Sequence, residues 1–245
     1  MRRLTVVPST ALASLVVVLA TLPGPAALAA GAADPMAGAP EVGTCYDLSY
    51  KEGGADAIEE EPVACTAPHT STITAVEQLP DGLPLDSSDP QTAAFIGRTC
   101  LAGSDQAIGD DHRLLALSAY ARINFFPTQD DQSAGARWIS CGIAVFNARS
   151  LVRTSDPEPI ALADPVPEEI ALCMTKRGLV EPCARPHAYR AVAATVVKKK
   201  PTDARVRKTI ETFCPRVVST KKWFYRYLPL TSSSYAVACL DKTTS

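Results

Sequence analysis

The sequence has little that points to catalysis or to a metal site. It holds only three histidines, 6% aromatic residues and eight cysteines, none of them in a C-x2-C arrangement. Structural zinc sites need clustered cysteine and histidine ligands, and no G-x-S-x-G or H-E-x-x-H motif is present. The sequence therefore predicts no catalytic residues, no metal and no cofactor.

The chain also lacks an apolar run long enough to span a membrane. The run over 11–22 is about half of the roughly 20 residues that a spanning helix needs. Two arginines precede this run and small residues follow it at 27–29, which is typical of a secretory signal peptide. We predict a signal peptide over 1–29, a flexible mature N-terminus over 30–40, and a secreted, extracytoplasmic protein without a transmembrane segment in its mature chain.

All eight cysteines follow the predicted cleavage point. An even number in an exported chain predicts four disulfides. Three pairings are possible within each half of the chain, and a turn at 176–178 would bring Cys173 close to Cys183. The preferred pairs are Cys45–Cys65, Cys100–Cys141, Cys173–Cys183 and Cys214–Cys239.

The two halves of the chain carry the same landmarks in the same order. Residues 65–69 and 183–187 both have the pattern C-x-x-P-H, with a cysteine upstream and an apolar, strand-like run downstream. A helix start follows at Asp89 and at Thr202. Each half then has an aromatic segment that contains a proline, and closes with a strand that carries its last cysteine. This order predicts a tandem duplication.

The landmarks predict an α+β fold. It would consist of two small, tandemly duplicated, disulfide-stabilised domains, each a mainly antiparallel sheet with one helix. The first half would span 41–151 and the second half 168–242, joined by a Pro-rich linker over 152–167 and followed by a tail over 243–245. The segment 103–113 has no counterpart in the second half and is predicted to be an insertion.

The motifs around the cysteines resemble those of a known family. The sequences G-T-C-Y at 43–46, V-A-C-T-A-P-H at 63–69 and R-W-I-S-C at 137–141 are similar to motifs of the septum formation domain family of high-GC Gram-positive bacteria. The second half is more loosely similar, since Leu172 stands in place of the glycine and Tyr235 in place of the arginine. The resemblance implies an exported or envelope-associated protein with a role at the division septum, and it implies no established chemistry.

The repeated motif allows two interpretations of Pro68 and His69, and of Pro186 and His187. A cysteine and a histidine could form a nucleophilic pair, but a cysteine in a disulfide has no thiolate. We therefore favour a structural role in which the imidazole bonds a backbone carbonyl. The third histidine lies in the segment 110–112, whose two aspartates could bind calcium, although short acidic loops are usually solvated.

The near-neutral overall charge conceals two regions of opposite sign. Residues 30–160 hold 19 acidic and 7 basic residues, a net charge of −12, whereas 161–245 hold 7 acidic and 15 basic residues, a net charge of +8. Opposite charges of this size can steer association with a partner. The candidate polyanion-binding residues are Lys198, Lys199, Lys200, Arg205, Lys208, Lys221, Lys222 and Arg226.

These features predict a binding function. Basic residues interleaved with aromatics are typical of nucleic-acid binding, but export favours a wall polymer or lipid headgroup, so we predict no nucleic-acid partner. We predict a secreted, non-enzymatic cell-envelope binding protein linked to septum formation, cell division or wall assembly. Its partner would be a cell-wall polyanion or an envelope protein. The alternatives are a solvated charged face with no partner, an envelope hydrolase or transferase without a recognisable motif, and an extracellular regulator of a membrane protein.

Overall fold

The computed structural model describes residues 34–243, so the predicted signal peptide lies outside the described residues. The chain forms ten strands in two sheets, with few helices. The first sheet contains β1 (Cys45–Tyr46), β2 (Ser71–Gln78), β3 (Tyr120–Phe125), β4 (Trp138–Asn147) and β5 (Ser150–Leu151). The second sheet contains β6 (Leu172–Met174), β7 (Val180–Pro182), β8 (Tyr189–Val197), β9 (Trp223–Thr231) and β10 (Ser234–Lys242).

Every strand pair in the two sheets is antiparallel, which confirms the predicted sheet type. The first sheet has the order β1-β2-β4-β3, and β5 pairs with the end of β4. The second sheet has the order β7-β6-β8-β10-β9. In both sheets the last long strand lies in the interior, and the strand before it lies at the edge.

Four α-helices accompany the sheets: α1 (Pro90–Ile108), α2 (His112–Ala116), α3 (Gln129–Ser133) and α4 (Asp203–Val217). Both predicted helix starts are confirmed. The Asp89 side chain accepts hydrogen bonds from the second and third backbone N–H groups of α1, and the Thr202 side chain accepts one from Arg205 in α4.

The prediction of one helix per half is wrong for the first half, which has three. The segment 103–113 continues α1 and then begins α2, because Gly109 adopts a φ of 104° that ends α1. The Asp111 side chain then caps α2 by accepting hydrogen bonds from the N–H groups of Arg113 and Leu114. The predicted insertion is thus a longer helix followed by a short one.

Four disulfides cross-link the fold, and they join the pairs preferred from the sequence. Cys45–Cys65 and Cys173–Cys183 each connect the first strand of a half to its C-x-x-P-H motif. Cys100–Cys141 and Cys214–Cys239 each connect a helix to the last long strand of the same half. Four disulfides fit an oxidising compartment outside the cytoplasm.

One hydrophobic core contains residues from both halves. Leu101 and Ile108 of α1 pack in it with Leu172, Ala238 and Leu240 of the second sheet. The opposite face of the second sheet is covered by α4, and the side chains that β10 places between them are Tyr235, Val237 and Cys239. The second sheet is therefore buried on both faces along β10.

The Pro-rich segment 152–167 is packed onto this core. Thr154 pairs with His69 through two backbone hydrogen bonds of 2.8 Å. Ile160 and Leu162 pack against the shared core, and the Leu162 N–H donates to the Ile108 carbonyl. The segment thus lies between the halves as part of the folded structure, while the predicted domain boundaries stay predictions.

Residues 34–40, part of the segment predicted to be flexible, hydrogen-bond to the start of β4. The Arg137 N–H donates to the Pro35 carbonyl at 2.7 Å, and the Trp138 indole N–H donates to the Ala37 carbonyl at 2.8 Å. A tryptophan that is 4% exposed needs a partner for its indole N–H, and the N-terminal segment provides that partner.

Two arginines link the edge strands of the two sheets. Arg122 on β3 donates to the carbonyls of residues 229 and 230 on β9. Arg226 on β9 donates in return to the carbonyls of Ser118 and Tyr120. Burial lowers the pKa of Arg226 to about 10, with a further contribution from the positive charge of Arg122. Both guanidinium groups therefore stay charged at neutral pH and bind carbonyls that neighbouring strands do not use.

Asp241 fixes the loop between α4 and β9. It accepts hydrogen bonds from the Ser219 N–H at 2.6 Å, the Ser219 hydroxyl at 2.5 Å, the Thr220 N–H at 3.1 Å and the Thr220 hydroxyl. Partial burial alone would raise the pKa of Asp241, but these four bonds hold it well below its ordinary range. The carboxylate is therefore more stable as an anion in the folded protein than in the unfolded chain.

We expect Asp241→Asn to lower the free energy of unfolding at neutral pH by about 1–3 kcal/mol, because an amide leaves donors unpaired. Since the folded pKa is depressed, the contribution of the carboxylate is complete above the unfolded pKa of about 3.9 and is lost as pH falls through the folded value. Urea denaturation between about pH 7 and pH 2 should show the two proteins converging in acid. Glu211→Gln, at an exposed site on α4, is the control; a pH-independent deficit for Asp241→Asn would contradict this account.

Candidate functional site

The two C-x-x-P-H motifs form the same local structure. His69 Nδ1 lies 3.0 Å from the Ala67 carbonyl, and His187 Nδ1 lies 2.8 Å from the Arg185 carbonyl. A carbonyl oxygen only accepts, so Nδ1 carries the proton in both rings and Nε2 of the neutral ring is a bare acceptor. Both motif cysteines are in disulfides, so neither provides a thiolate. The motif holds a turn at the entrance to a strand.

The acidic segment 110–112 does not converge on a cation. His112 Nε2 lies 3.0 Å from a carboxylate oxygen of Asp105, and the Asp111 side chain caps α2. Asp110 is exposed. Within residues 34–243, no group of three or more His, Cys, Asp or Glu side chains is placed to hold a metal ion.

The basic residues of the second half follow α4 and the loops at its two ends. One group of lysines lies between β8 and α4, and the other lies between α4 and β9. These loops are at opposite ends of the sheet, about 30 Å apart along a nine-residue strand. The helix spans about 22 Å and connects them. We call the exposed bases on the loops and helix the basic face: Lys198, Lys199, Lys200, Arg207, Lys208, Arg216, Lys221 and Lys222.

The helix presents its bases to solvent because its apolar side packs on the sheet. Ile210 and Cys214 are 8% and 0% exposed and lie in the core below α4. Arg207 and Lys208 are exposed away from this side, and the exposed acidic residues of α4 are Asp203 in its first turn and Glu211. The charge of this surface is therefore strongly positive from one end of α4 to the other.

Two of the candidate polyanion-binding residues are not on the basic face. The guanidinium group of Arg205 donates to the Lys200 carbonyl and braces the loop before α4. Arg226 points away from α4 and donates to carbonyls of the first half. The sequence gives the direction of alternate side chains on β9, but it does not show what lies on either side of that strand.

Aromatic residues adjoin the basic face on β9. Trp223 and Tyr227 pack against α4, whereas Phe224 lies on the opposite face. Its ring centroid is 4.5 Å from that of Tyr189, in an edge-to-face arrangement. Tyr225 is 49% exposed and borders an open groove of about 650 Å³ between α4 and β9. Side chains on this strand thus alternate between its two faces.

Sequence reasoning missed a partly open cavity of about 250 Å³ beneath the segment 152–160. His69 lies in its wall, and the opposite wall comes from the segment predicted to be a linker. The two are about 85 residues apart in the chain, so no local pattern could place them together.

No helix in the described range 34–243 is both long enough and apolar enough to cross a membrane. Comparison with known proteins finds no matching family model, no similar curated protein and no similar solved structure. The chemistry of the described residues is therefore the basis for assigning a function.

Proposed function

We propose that this chain is a secreted, non-enzymatic binding protein of the cell envelope, and that its basic face binds an anionic wall polymer. The observation that carries the proposal is the alignment of eight exposed lysines and arginines along α4 and the loops at its ends. A polymer with regularly spaced negative charges can contact such a surface over its full length. If these basic residues were only solvated and had no partner, they would not need to lie along one continuous surface.

The binding would be electrostatic and therefore sensitive to salt. Exposed charges interact over about 8–10 Å at physiological ionic strength, so a polyanion must lie directly on the surface. Each basic residue close to an anionic surface adds about 1 kcal/mol, and several acting together can hold a chain without a deep pocket. The exposed Tyr225 beside the helix offers an apolar contact for sugar or polyol units of the polymer.

The proposed setting is septum formation or wall assembly. It is supported by the resemblance of the cysteine and C-x-x-P-H motifs to the septum formation domain family. A second proposal, tandem duplication of one ancestral unit, is supported by the correspondence of the two sheet orders, with β1-β2-β4-β3 matching β6-β8-β10-β9. The isolated pairing of Cys45 with Val63 takes the place of the β6–β7 pairing.

Reversing the charge of five lysines should abolish most of the binding. The variant carries glutamate at Lys198, Lys199, Lys200, Lys221 and Lys222, which are all exposed, so the fold should persist. We expect its affinity for purified cell-wall fragments to fall at least about tenfold, measured by co-sedimentation. Wild-type binding should also weaken as the salt concentration rises from about 0.05 to about 0.5 M.

A matched control distinguishes binding through the basic face from an effect of net charge alone. It carries glutamate at five exposed bases elsewhere: Lys51, Arg98, Arg149, Lys176 and Arg185. The change in net charge is the same, so binding should remain within about twofold of wild type if the basic face is the binding surface. Equal loss in both variants, or wild-type binding that is indifferent to salt, would refute the proposal.

A further inference from the structure

The cavity beneath residues 152–160 has a fixed wall. The Tyr120 hydroxyl donates to the Ile160 carbonyl at 2.9 Å, and Thr154 pairs with His69. These bonds hold the segment over the ends of β2 and β4 and leave about 250 Å³ between them. A fixed wall means that the space persists when it is empty of ligand.

At the base of the cavity, His69 is 2% exposed. Its Nδ1–H is committed to the Ala67 carbonyl, so Nε2 of the neutral ring has a lone pair and no proton. No side chain or backbone group of residues 34–243 donates to this Nε2. This Nε2 is not among the fully buried polar atoms of residues 34–243 that lack a partner, which are Ser140 Oγ and Glu181 Oε1, so it reaches the cavity and can accept a hydrogen bond from a ligand there.

Apolar side chains form the body of the cavity. Ile143, Val145, Ile160 and Ile170 line it between His69 and the opening. Such walls disfavour a charged group and favour methylene groups, at about 0.8 kcal/mol for each buried CH2. The part of a ligand beside these residues is therefore aliphatic.

Around the opening stand three carboxylates, those of Asp156, Glu158 and Glu169. All three are exposed, and none forms an ion pair with a residue of the described range. The nearby Arg153 is already paired with Asp47 through two hydrogen bonds. The opening is therefore negatively charged and favours a cation.

We propose that this cavity binds a short aliphatic amine that carries a second hydrogen-bond donor at its far end. The ammonium group lies among Asp156, Glu158 and Glu169, the methylene chain lies along the apolar wall, and the far donor binds His69 Nε2. About 250 Å³ corresponds to the liquid volume of about eight water molecules, which suits a ligand of seven or eight heavy atoms. 5-Amino-1-pentanol has this size and chemistry, because its one charge lies at the opening and its far donor is an uncharged hydroxyl.

The second half provides a natural comparison. His187 has the same Nδ1 bond, but it is more exposed than His69, and the charges near it are those of Glu168 and Glu181. The chain that meets it is Thr243, whose hydroxyl donates to the His187 carbonyl at 3.5 Å and whose N–H donates to the Ala188 carbonyl. The amine should therefore perturb His69 and leave His187 unchanged.

The test uses the mature, disulfide-bonded protein with ¹⁵N-labelled histidine. We titrate it with 5-amino-1-pentanol, with 1-aminopentane and with pentanedioate, and follow the Nε2 resonances. Aminopentanol should shift the Nε2 signal of His69 upfield and bind about fivefold more tightly than aminopentane, which has the same charge but lacks the far donor. Pentanedioate should not bind.

Two triple variants, which remove the same number of negative charges, test whether the carboxylates at the opening bind the ammonium group. Asp156→Asn with Glu158→Gln and Glu169→Gln should weaken aminopentanol binding about tenfold. Glu59→Gln with Glu60→Gln and Glu61→Gln removes the same charge at a separate, acidic loop and should change it less than about twofold. Equal loss in both, an unmoved His69 signal, or tighter binding of pentanedioate would each overturn the proposal. None of these substitutions touches the basic face, so binding to wall fragments reports on the other proposal independently.

Discussion

Removing the disulfide between Cys100 and Cys141 by a double change to alanine should lower the free energy of unfolding by about 4 kcal/mol. This bond closes a loop of 41 residues, which is the longest of the four, and restricts the unfolded chain most. Both cysteines are buried, at 4% and 0% exposure, and they fasten α1 to β4 within an apolar cluster of the first half that includes Ile96 and Ile139. The same change would leave a cavity at that contact.

The matched comparison is the double alanine variant of Cys173 and Cys183. These residues are also buried, at 0% and 6% exposure, but their bond closes a loop of only 10 residues. The expected loss is about 2.7 kcal/mol from loop entropy. Urea denaturation followed by tryptophan fluorescence should give this order of stabilities. A larger loss at the Cys173–Cys183 bond would mean that strain or local structure, rather than loop length, sets the contribution.

Replacing Arg226 by methionine should lower the free energy of unfolding by about 2–4 kcal/mol, because the carbonyls of Ser118 and Tyr120 lose their donors at the junction of the two sheets. Relief of repulsion from the neighbouring Arg122 offsets part of this loss. Arg226→Lys keeps the charge, but its single ammonium group does not have the fork that reaches both carbonyls, so an intermediate loss is expected.

Arg216→Met is the control for Arg226→Met. Arg216 is exposed on α4, and its replacement should change the free energy of unfolding by less than about 0.5 kcal/mol. Hydrogen exchange should also localise the effect, with faster exchange at β3 and β9 in the Arg226 variant and little change at α4. Equal destabilisation by both substitutions would show that Arg226 does not link the halves.

Local features of the fold were predictable from the sequence because their causes are local. Asp89 before Pro90 specifies a helix start by capping free N–H groups, and alternation over 223–227 specifies a strand. The disulfide pairs were preferred from their positions within each half. The short helices α2 and α3 were not predicted, since five-residue helices carry too few residues for a periodic pattern.

The relations between the halves were not predictable, because they depend on contacts between distant segments. Arg226 was grouped with the surface lysines from its sequence neighbours, but the first half supplies carbonyls that bury it. His69 lines a cavity only because Thr154 pairs with it from the segment predicted to be a linker. The basic residues could be identified from the sequence, but only the structure shows that α4 and its flanking loops place them on one surface.

The proposed envelope binding through the basic face is best tested by the location of the mature protein in growing and dividing cells. The wild type and the variant with glutamate at Lys198, Lys199, Lys200, Lys221 and Lys222 would each carry a fluorophore that matures in an oxidising compartment. We expect the wild type to be retained at the envelope and enriched at division septa, and the variant to be released into the medium. Identical distributions for the two proteins would contradict the role of the basic face, and a wild type spread evenly without septal enrichment would contradict the septal setting.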